Sequence, residues 1–283
     1  MTDWKLTQRA KIEGVEVAFD VLGSGPPVVL VHGFPSNSYI WRRVAPALSA
    51  FNRVHVYDLP GQGASERRDG MDVSDPFQAK VLSSLLRHWG LQRPAIVLHD
   101  AGCCYGMTAY HYENVRYERI ALISAGLMYP CISAATKHAM KHLDAYRTMP
   151  VELHELIIQA RLGSTTFKPM SEGAIAAYLQ PWLGAEGQAL WFNRVAQLSD
   201  EHFALIESKL GPMDVPASIL WGREDRWIPV DQAKRLKRYI TNADLHIIDD
   251  AGHFLMEDAP QEVSRYLADF LGASQRPDVP QRA

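Results

Sequence analysis

The segment Ile96-Val97-Leu98-His99-Asp100-Ala101-Gly102-Cys103-Cys104 passes from an apolar run straight into a helical pattern, with small residues crowded at the junction. A strand-to-helix turn that tight lifts its central side chain to the end of the sheet. Small neighbours are needed because backbone approaches backbone there. Asp100 is that side chain. A carboxylate so presented suits a nucleophile, and the positive end of the following helix favours its negative charge. The same placement also fits a plain helix N-cap, a role that Asp often takes. Reactive residues follow apolar runs at four further places: His32-Gly33-Phe34-Pro35, Asp58-Leu59-Pro60-Gly61-Gln62-Gly63-Ala64-Ser65, Trp221-Gly222-Arg223-Glu224-Asp225 and Gly252-His253-Phe254.

Short apolar runs alternate with amphipathic stretches from Val15 onward, the rhythm of a mainly parallel sheet. Strands are predicted at residues 15–21, 28–31, 54–57, 95–98, 120–123, 219–221 and 245–248, most of them apolar throughout, as strands covered on both faces should be. Helices are predicted at 41–49, 78–89, 103–112, 230–239 and 260–271. Between about 128 and 213 no strand-like run occurs, and LHELIIQARL and AIAAYLQPWL have helical spacing. The pattern predicts an α/β core over 1–127 and 214–272, doubly wound, with a helical cap inserted between two strands at 128–213, above the carboxyl ends of the strands. The polar, proline-containing end, 273–283, reads as a flexible tail.

The chain has 283 residues, 47% of them hydrophobic and 22% charged, so it can bury a sizeable core and is not disordered as a whole. Its net charge of −3 gives no basic face, which argues against nucleic acid as partner. Three cysteines, Cys103, Cys104 and Cys131, do not make a disulfide framework. No signal-type apolar segment opens the sequence and no apolar run approaches membrane-spanning length, so a cytoplasmic location without membrane attachment is expected.

From Val15 to Leu271 the chain resembles the α/β-hydrolase fold family, because these motifs occur in the family's order, each at a strand end. The family's chain order of nucleophile, acid and histidine falls on Asp100, Asp225 and His253. The resemblance implies His253 as base and Asp225 as its orienting acid, although Glu224 adjoins Asp225, and Asp249 and Asp250 lie near His253 in sequence. An aspartate where most members carry serine changes the reaction. A carboxylate attacking an ester gives an anhydride no more stable than the substrate, whereas attack on an sp3 carbon bearing a leaving group gives a stable alkyl ester. His253 then deprotonates a water that attacks the ester carbonyl, and the backbone N–H groups of Phe34 and Ala101 hold the oxyanion.

Aspartate-nucleophile members resemble two groups, epoxide hydrolases and haloalkane or haloacid dehalogenases. Haloalkane dehalogenases hold halide with a Trp just after the nucleophile and often an Asn in the first motif; here those positions are Ala101 and Phe34. Haloacid members carry Arg after the nucleophile, and Ala101 departs from that too. The His32-Gly33-Phe34-Pro35 form is typical of epoxide hydrolases, which protonate the opening ring with cap tyrosines. The cap segment Leu190-Trp191-Phe192-Asn193-Arg194 puts Phe192 where one such tyrosine should stand, leaving Tyr129, Tyr146 and Tyr178 as donors. On the dehalogenase side, Ser38-Tyr39-Ile40-Trp41-Arg42 and the segment from Tyr178 to Leu183 resemble that group, with Trp182, Trp191 and Trp227 as alternative indole donors.

The expectation is therefore a cofactor-independent hydrolase, without metal, that opens small, mainly apolar epoxides with water, and His32, Trp182, Trp191, Tyr178, Tyr129 and Tyr146 contribute to substrate binding. Dehalogenation through the same triad is the alternative, and a non-catalytic ligand receptor on the same fold is the alternative from another class. Four signals are set aside. Cys103 and Cys104 suit packing beside a tight turn, and His138 and His142 lack a third metal ligand. Gly61-Gln62-Gly63 lacks the third glycine of a dinucleotide loop, since Glu66 stands there, and the basic run from Lys234 to Arg238 fits the wet side of a helix.

Overall fold

The computed structural model describes residues 4–272, so the expected tail at 273–283 lies outside the described residues. In chain order the elements are β1 (Gln8–Ile12), β2 (Val15–Leu22), β3 (Pro27–Val31), α1 (Ala45–Ser49), β4 (Arg53–Tyr57), α2 (Asp75–His88), β5 (Ala95–His99), α3 (Ala101–Tyr112) and β6 (Ile120–Ile123). Six helices follow without a strand: α4 (Ala134–Lys141), α5 (Leu143–Arg147), α6 (Val151–Gly163), α7 (Glu172–Leu179), α8 (Gly184–Ala196) and α9 (Asp200–Glu207). The chain then returns through β7 (Ala217–Gly222), α10 (Asp231–Tyr239), β8 (Ala243–Ile248), α11 (Leu255–Asp258) and α12 (Pro260–Phe270).

The eight strands form one sheet in the order β1-β2-β4-β3-β5-β6-β7-β8. From β4 to β8 neighbours run parallel, while β1 and β2 join antiparallel at one edge. Every residue of β5, β6 and β7 is buried, which is why these strands are apolar except for His99 and Ser218, whose side chains hydrogen-bond to His253 O and the Tyr266 hydroxyl. Two cores flank the sheet. Leu82, Leu85, Cys103 and Met107 pack from α2 and α3 on one face, and Leu48, Val263 and Leu267 pack from α1 and α12 on the other.

β1 was not expected: its sequence, QRAKI, is mostly exposed and charged, as suits an edge strand that must not recruit a partner, so it carries no apolar signal. The helix expected at 41–49 is instead a short 3₁₀ turn (Ser38–Trp41) followed by α1, with Asn37 Oδ1 accepting the Tyr39 amide to cap the turn. No described helix is long and apolar enough to cross a membrane.

The cap helices are fastened to the core through buried polar groups. Arg194 of α8 pairs with Asp75 at the start of α2, both almost wholly buried, and also donates to Val73 O and Tyr105 Oη. Asn193 Nδ2 donates to Met71 O at 3.0 Å. The Trp182 indole donates to Pro35 O at 2.9 Å.

Candidate active site

β5 delivers Asp100 at its carboxyl end, and the turn into α3 forces its backbone to φ 52° and ψ −124°, a sparsely populated conformation for a residue with a side chain. The surroundings impose it. A Cβ at Gly102 would stand 2.7 Å from His32 O, and one at Gly33 would stand 2.3 Å from Asp100 Oδ2, so both positions need glycine for the turn to close. The Phe34 amide donates to Asp100 Oδ2 at 3.0 Å. The loop carrying Phe34 is braced by His32, whose Nε2 accepts the Leu59 amide at 3.0 Å and whose Nδ1 lies 2.8 Å from Gly33 O. Those two partners require the neutral Nδ1–H tautomer, in line with burial, which lowers the His32 pKa.

His253 follows β8 and brings Nε2 to 3.4 Å from Asp100 Oδ1 and Nδ1 to 2.9 Å from Asp225 Oδ2. Asp225, after β7, is fixed in turn: its Oδ1 accepts the amides of Trp227 and Ile228, each at 2.8 Å. The neighbouring acids take other roles, since Glu224 accepts the Ala251 amide and Asp249 pairs with Arg223 at the surface. Beside His253, His99 Nε2 meets His253 O at 3.0 Å, and burial holds the His99 pKa at about 4, so the ring is neutral and donates.

Burial opposes charge on His253, but the two carboxylates outweigh it, Asp225 by charge and Asp100 by hydrogen bonding, and push its pKa up to about 10. Burial likewise raises the Asp100 pKa, and hydrogen bonding and charge from His253, with the Ala101 amide, more than reverse this, holding it below the usual carboxylate range. Both shifts favour a proton on His253 between two carboxylates.

A cavity of about 550 Å³ opens above Asp100, walled by the core loops and the cap. Asp100, Phe34, Ala101, Tyr146 and Trp191 line it, as expected, and so do Phe192 and Trp227. Four residues expected to bind substrate stand elsewhere. His32 is buried beneath the loop that it braces. Trp182 spends its indole on Pro35 O and packs edge-on to Phe34. Tyr178 donates to Glu257 at 2.6 Å, within a buried group completed by Arg42. Tyr129 is 44% exposed, with its backbone O accepting from Arg235.

Trp227, named from the sequence as an alternative indole donor, does reach the site but spends its N–H elsewhere, and two further contributors, Ser164 and Arg161, were not anticipated. The Trp227 ring stacks on His253, 5.4 Å between centroids at 20°, while its indole donates to Ser164 Oγ at 2.9 Å. Arg161 of α6 lies over the Trp227 ring, its Cζ 5.1 Å from the centroid. Trp227 sits two residues beyond the acid, a proximity visible in the sequence; Ser164 and Arg161 have no motif and reach the site only through the packing of α6. Of the signals set aside, Cys103 is buried with Sγ 3.3 Å from Leu98 O, and His138 and His142 are exposed on the cap. No cluster of metal-ligating side chains occurs among the described residues.

Comparison with known proteins places this arrangement in context. The model of the alpha/beta hydrolase family matches residues 28–266. An alpha/beta hydrolase fold protein from Burkholderia ambifaria superposes with a TM-score of 0.90 at 34% identity, over 94% of this chain and 98% of that one. A 2-hydroxy-6-oxononadienedioate/2-hydroxy-6-oxononatrienedioate hydrolase from Cupriavidus pinatubonensis is 25% identical over 252 residues, 87% of this chain and 86% of its own. The epoxide hydrolase CorEH gives a TM-score of 0.75 at 22% identity over 96% of this chain and 100% of that one, a likeness of fold alone.

Proposed function

The chain belongs to the alpha/beta hydrolase family, and on that premise we propose that it opens a small epoxide to a diol through a covalent ester on Asp100, with water as second substrate and no cofactor. One observation carries the reading. An aspartate occupies the strained turn between β5 and α3, with one carboxylate oxygen held by the Phe34 amide and the other facing His253.

The amide-held Oδ2 stays in place while Oδ1 attacks the less hindered ring carbon and the C–O bond breaks. The epoxide oxygen takes a proton from a cap hydroxyl. Tyr146 is the tyrosine that lines the cavity, and its hydroxyl makes no hydrogen bond among the described residues. Alkylation turns Asp100 into a neutral ester, which removes one of the two anions that hold the proton on His253. The imidazolium then yields its proton, which restores the cap hydroxyl that protonated the epoxide oxygen, and becomes the base for water, with Asp225 fixing its orientation. The Phe34 and Ala101 amides hold the oxyanion as the hydroxide adds to the ester carbonyl. Collapse releases the diol oxygen, which takes the proton removed from water, and the second proton of that water passes from the Asp100 carboxyl to His253, restoring the carboxylate and the imidazolium.

Dehalogenation has less support, because a leaving halide needs converging N–H donors. Trp182 and Trp227 donate elsewhere, leaving Trp191 as the cavity-lining indole without an acceptor. The test is parallel turnover of terminal epoxides and bromoalkanes, read as diol and halide, with an aryl ester as control. Diol without halide is expected, and Tyr146→Phe should lower diol formation by about 10²-fold or more. Halide without diol would reverse the reading in favour of Trp191; silence on both substrates would leave a receptor as the better account.

A further inference from the structure

Arg161 lines the cavity over Asp100 and has no acid to answer its charge. The two arginines buried more deeply each face a carboxylate: Arg42 has Glu257 and Arg194 has Asp75. The guanidinium of Arg161 makes no ion pair or hydrogen bond among the described residues, and its Nε is shut away from solvent without an acceptor. Burial pulls its pKa down and no neighbouring carboxylate lifts it back. A charge placed there costs free energy that the Trp227 ring at 5.1 Å offsets only in part. The chain keeps it none the less, at the wall of the site.

We propose that Arg161 is the recognition residue for a carboxylate on the substrate, which makes the substrate an acid whose electrophilic carbon lies at the end remote from its anion. A planar guanidinium with its terminal nitrogens free offers two parallel donors, the geometry that a carboxylate accepts. The lining around it, with Ile157, Trp191, Phe192 and Val195, suits the carbon skeleton between the two ends. Arg194 also lines the cavity, but Asp75 neutralises it. Arg226 is exposed at the rim with no ion pair among the described residues, and adds positive charge where an anion would enter. Because Arg161 rests on Trp227, which rests on His253, a carboxylate bound there would also fix the distance from the anion to the base.

This deepens the epoxide reading by naming the substrate's class, and it rests on that reading only in taking the cavity as the substrate site. Its test needs no turnover. Binding of hexanoate and of hexanamide, two probes of one shape, is measured by calorimetry on the wild type, Arg161→Gln and Arg161→Lys, with melting curves to show that each is folded. The wild type should bind the acid at least about tenfold more tightly than the amide, as expected for a charge-assisted pair. The preference should vanish in Arg161→Gln and return in part in Arg161→Lys, which keeps the charge without the fork. Equal binding of acid and amide, a preference that survives Arg161→Gln, or no binding of the acid at millimolar concentration would each overturn the proposal. Loss of the ester on Asp100, by contrast, would overturn the reaction and leave this result standing.

Discussion

Replacing Asp225 by Asn separates the two chemical steps. The substitution keeps the shape of a side chain that is fully buried, and it removes the charge 2.9 Å from His253 Nδ1. It also rearranges hydrogens. Oδ1 must go on accepting from the Trp227 and Ile228 amides, so the new NH₂ falls opposite Nδ1 and turns that nitrogen into an acceptor. The proton then sits on Nε2, the atom that has to take one from water. At 2.9 Å and an effective dielectric constant of about 20, the lost charge pair is worth about 6 kcal/mol, or about 10⁴ in rate if the transition state feels all of it. An amide dipole remains, so hydrolysis of the ester should slow by between about 10³ and 10⁴. Ring opening relies on the Asp100 carboxylate, which the Phe34 amide still holds, and on the Tyr146 hydroxyl, neither of which contacts Asp225, and should proceed. The ester therefore accumulates. Intact-protein mass spectrometry after exposure to an epoxide should show one adduct of the whole substrate mass on the Asp100 peptide, because ring opening expels nothing, together with a single-turnover burst. Steady-state turnover within tenfold of the wild type would mean that Asp225 is not the acid. Absence of any adduct, with turnover lost, would refute Asp100 as nucleophile.

Two further outcomes follow from the buried charges. The His253 pKa is raised from 6.5 to about 10 on folding, so its contribution to stability is fully present below pH 6.5 and is lost as pH rises towards 10; the urea midpoint should fall across that window and stay flatter in His253→Gln, and equal slopes would show that His253 is not charged at rest. Glu257→Gln leaves the almost wholly buried Arg42 without its carboxylate and should cost about 3–5 kcal/mol in denaturant unfolding, whereas a loss below about 1 kcal/mol would place that pair in solvent.

The sheet was legible because its central parallel strands are covered on both faces and therefore carry unbroken apolar runs, as in Val28 to Val31 and Ile120 to Ile123; β1 escaped because an exposed edge strand has no reason to be apolar. Asp100 was legible for a different reason. The turn needs small residues at fixed offsets, and Ala101, Gly102 and Gly33 record that need in sequence. The cap was legible as helices and not as a lining. Tyr178 and Trp182 have the residue type of donors, yet each commits its polar atom to the protein, to Glu257 and to Pro35 O, through contacts 79 and 147 positions apart in the chain. Which of several tyrosines faces a cavity depends on how the helices cross, and no local spacing encodes it. Arg161 was missed for the converse reason: its distinguishing feature is the lack of a partner, which only a structure can display.

Those cap contacts bear on how the proposed site would work, because they end beside Asp100 and His253. The Trp182 ring packs edge-on to Phe34, whose amide holds Asp100. Thr165 O accepts the Phe254 amide, one residue from His253, and Ser164 anchors the indole stacked on the His253 ring. Arg194 ties α8 to the start of α2 through a buried pair whose rupture would strand a charge on either side. A cap fastened at these points is part of the site's wall and is poorly suited to swing away as a lid. Substrates would then pass the rim beside Arg226, and size selection would fall to the aromatic lining of the cavity. A fixed apolar cover also keeps bulk water from the ion pairs, so that the charge lost on alkylating Asp100 is felt by His253 at short range in a poorly screened site. On the proposed mechanism, the same cover that excludes solvent would make the histidine's change from acid to base depend on the state of the aspartate.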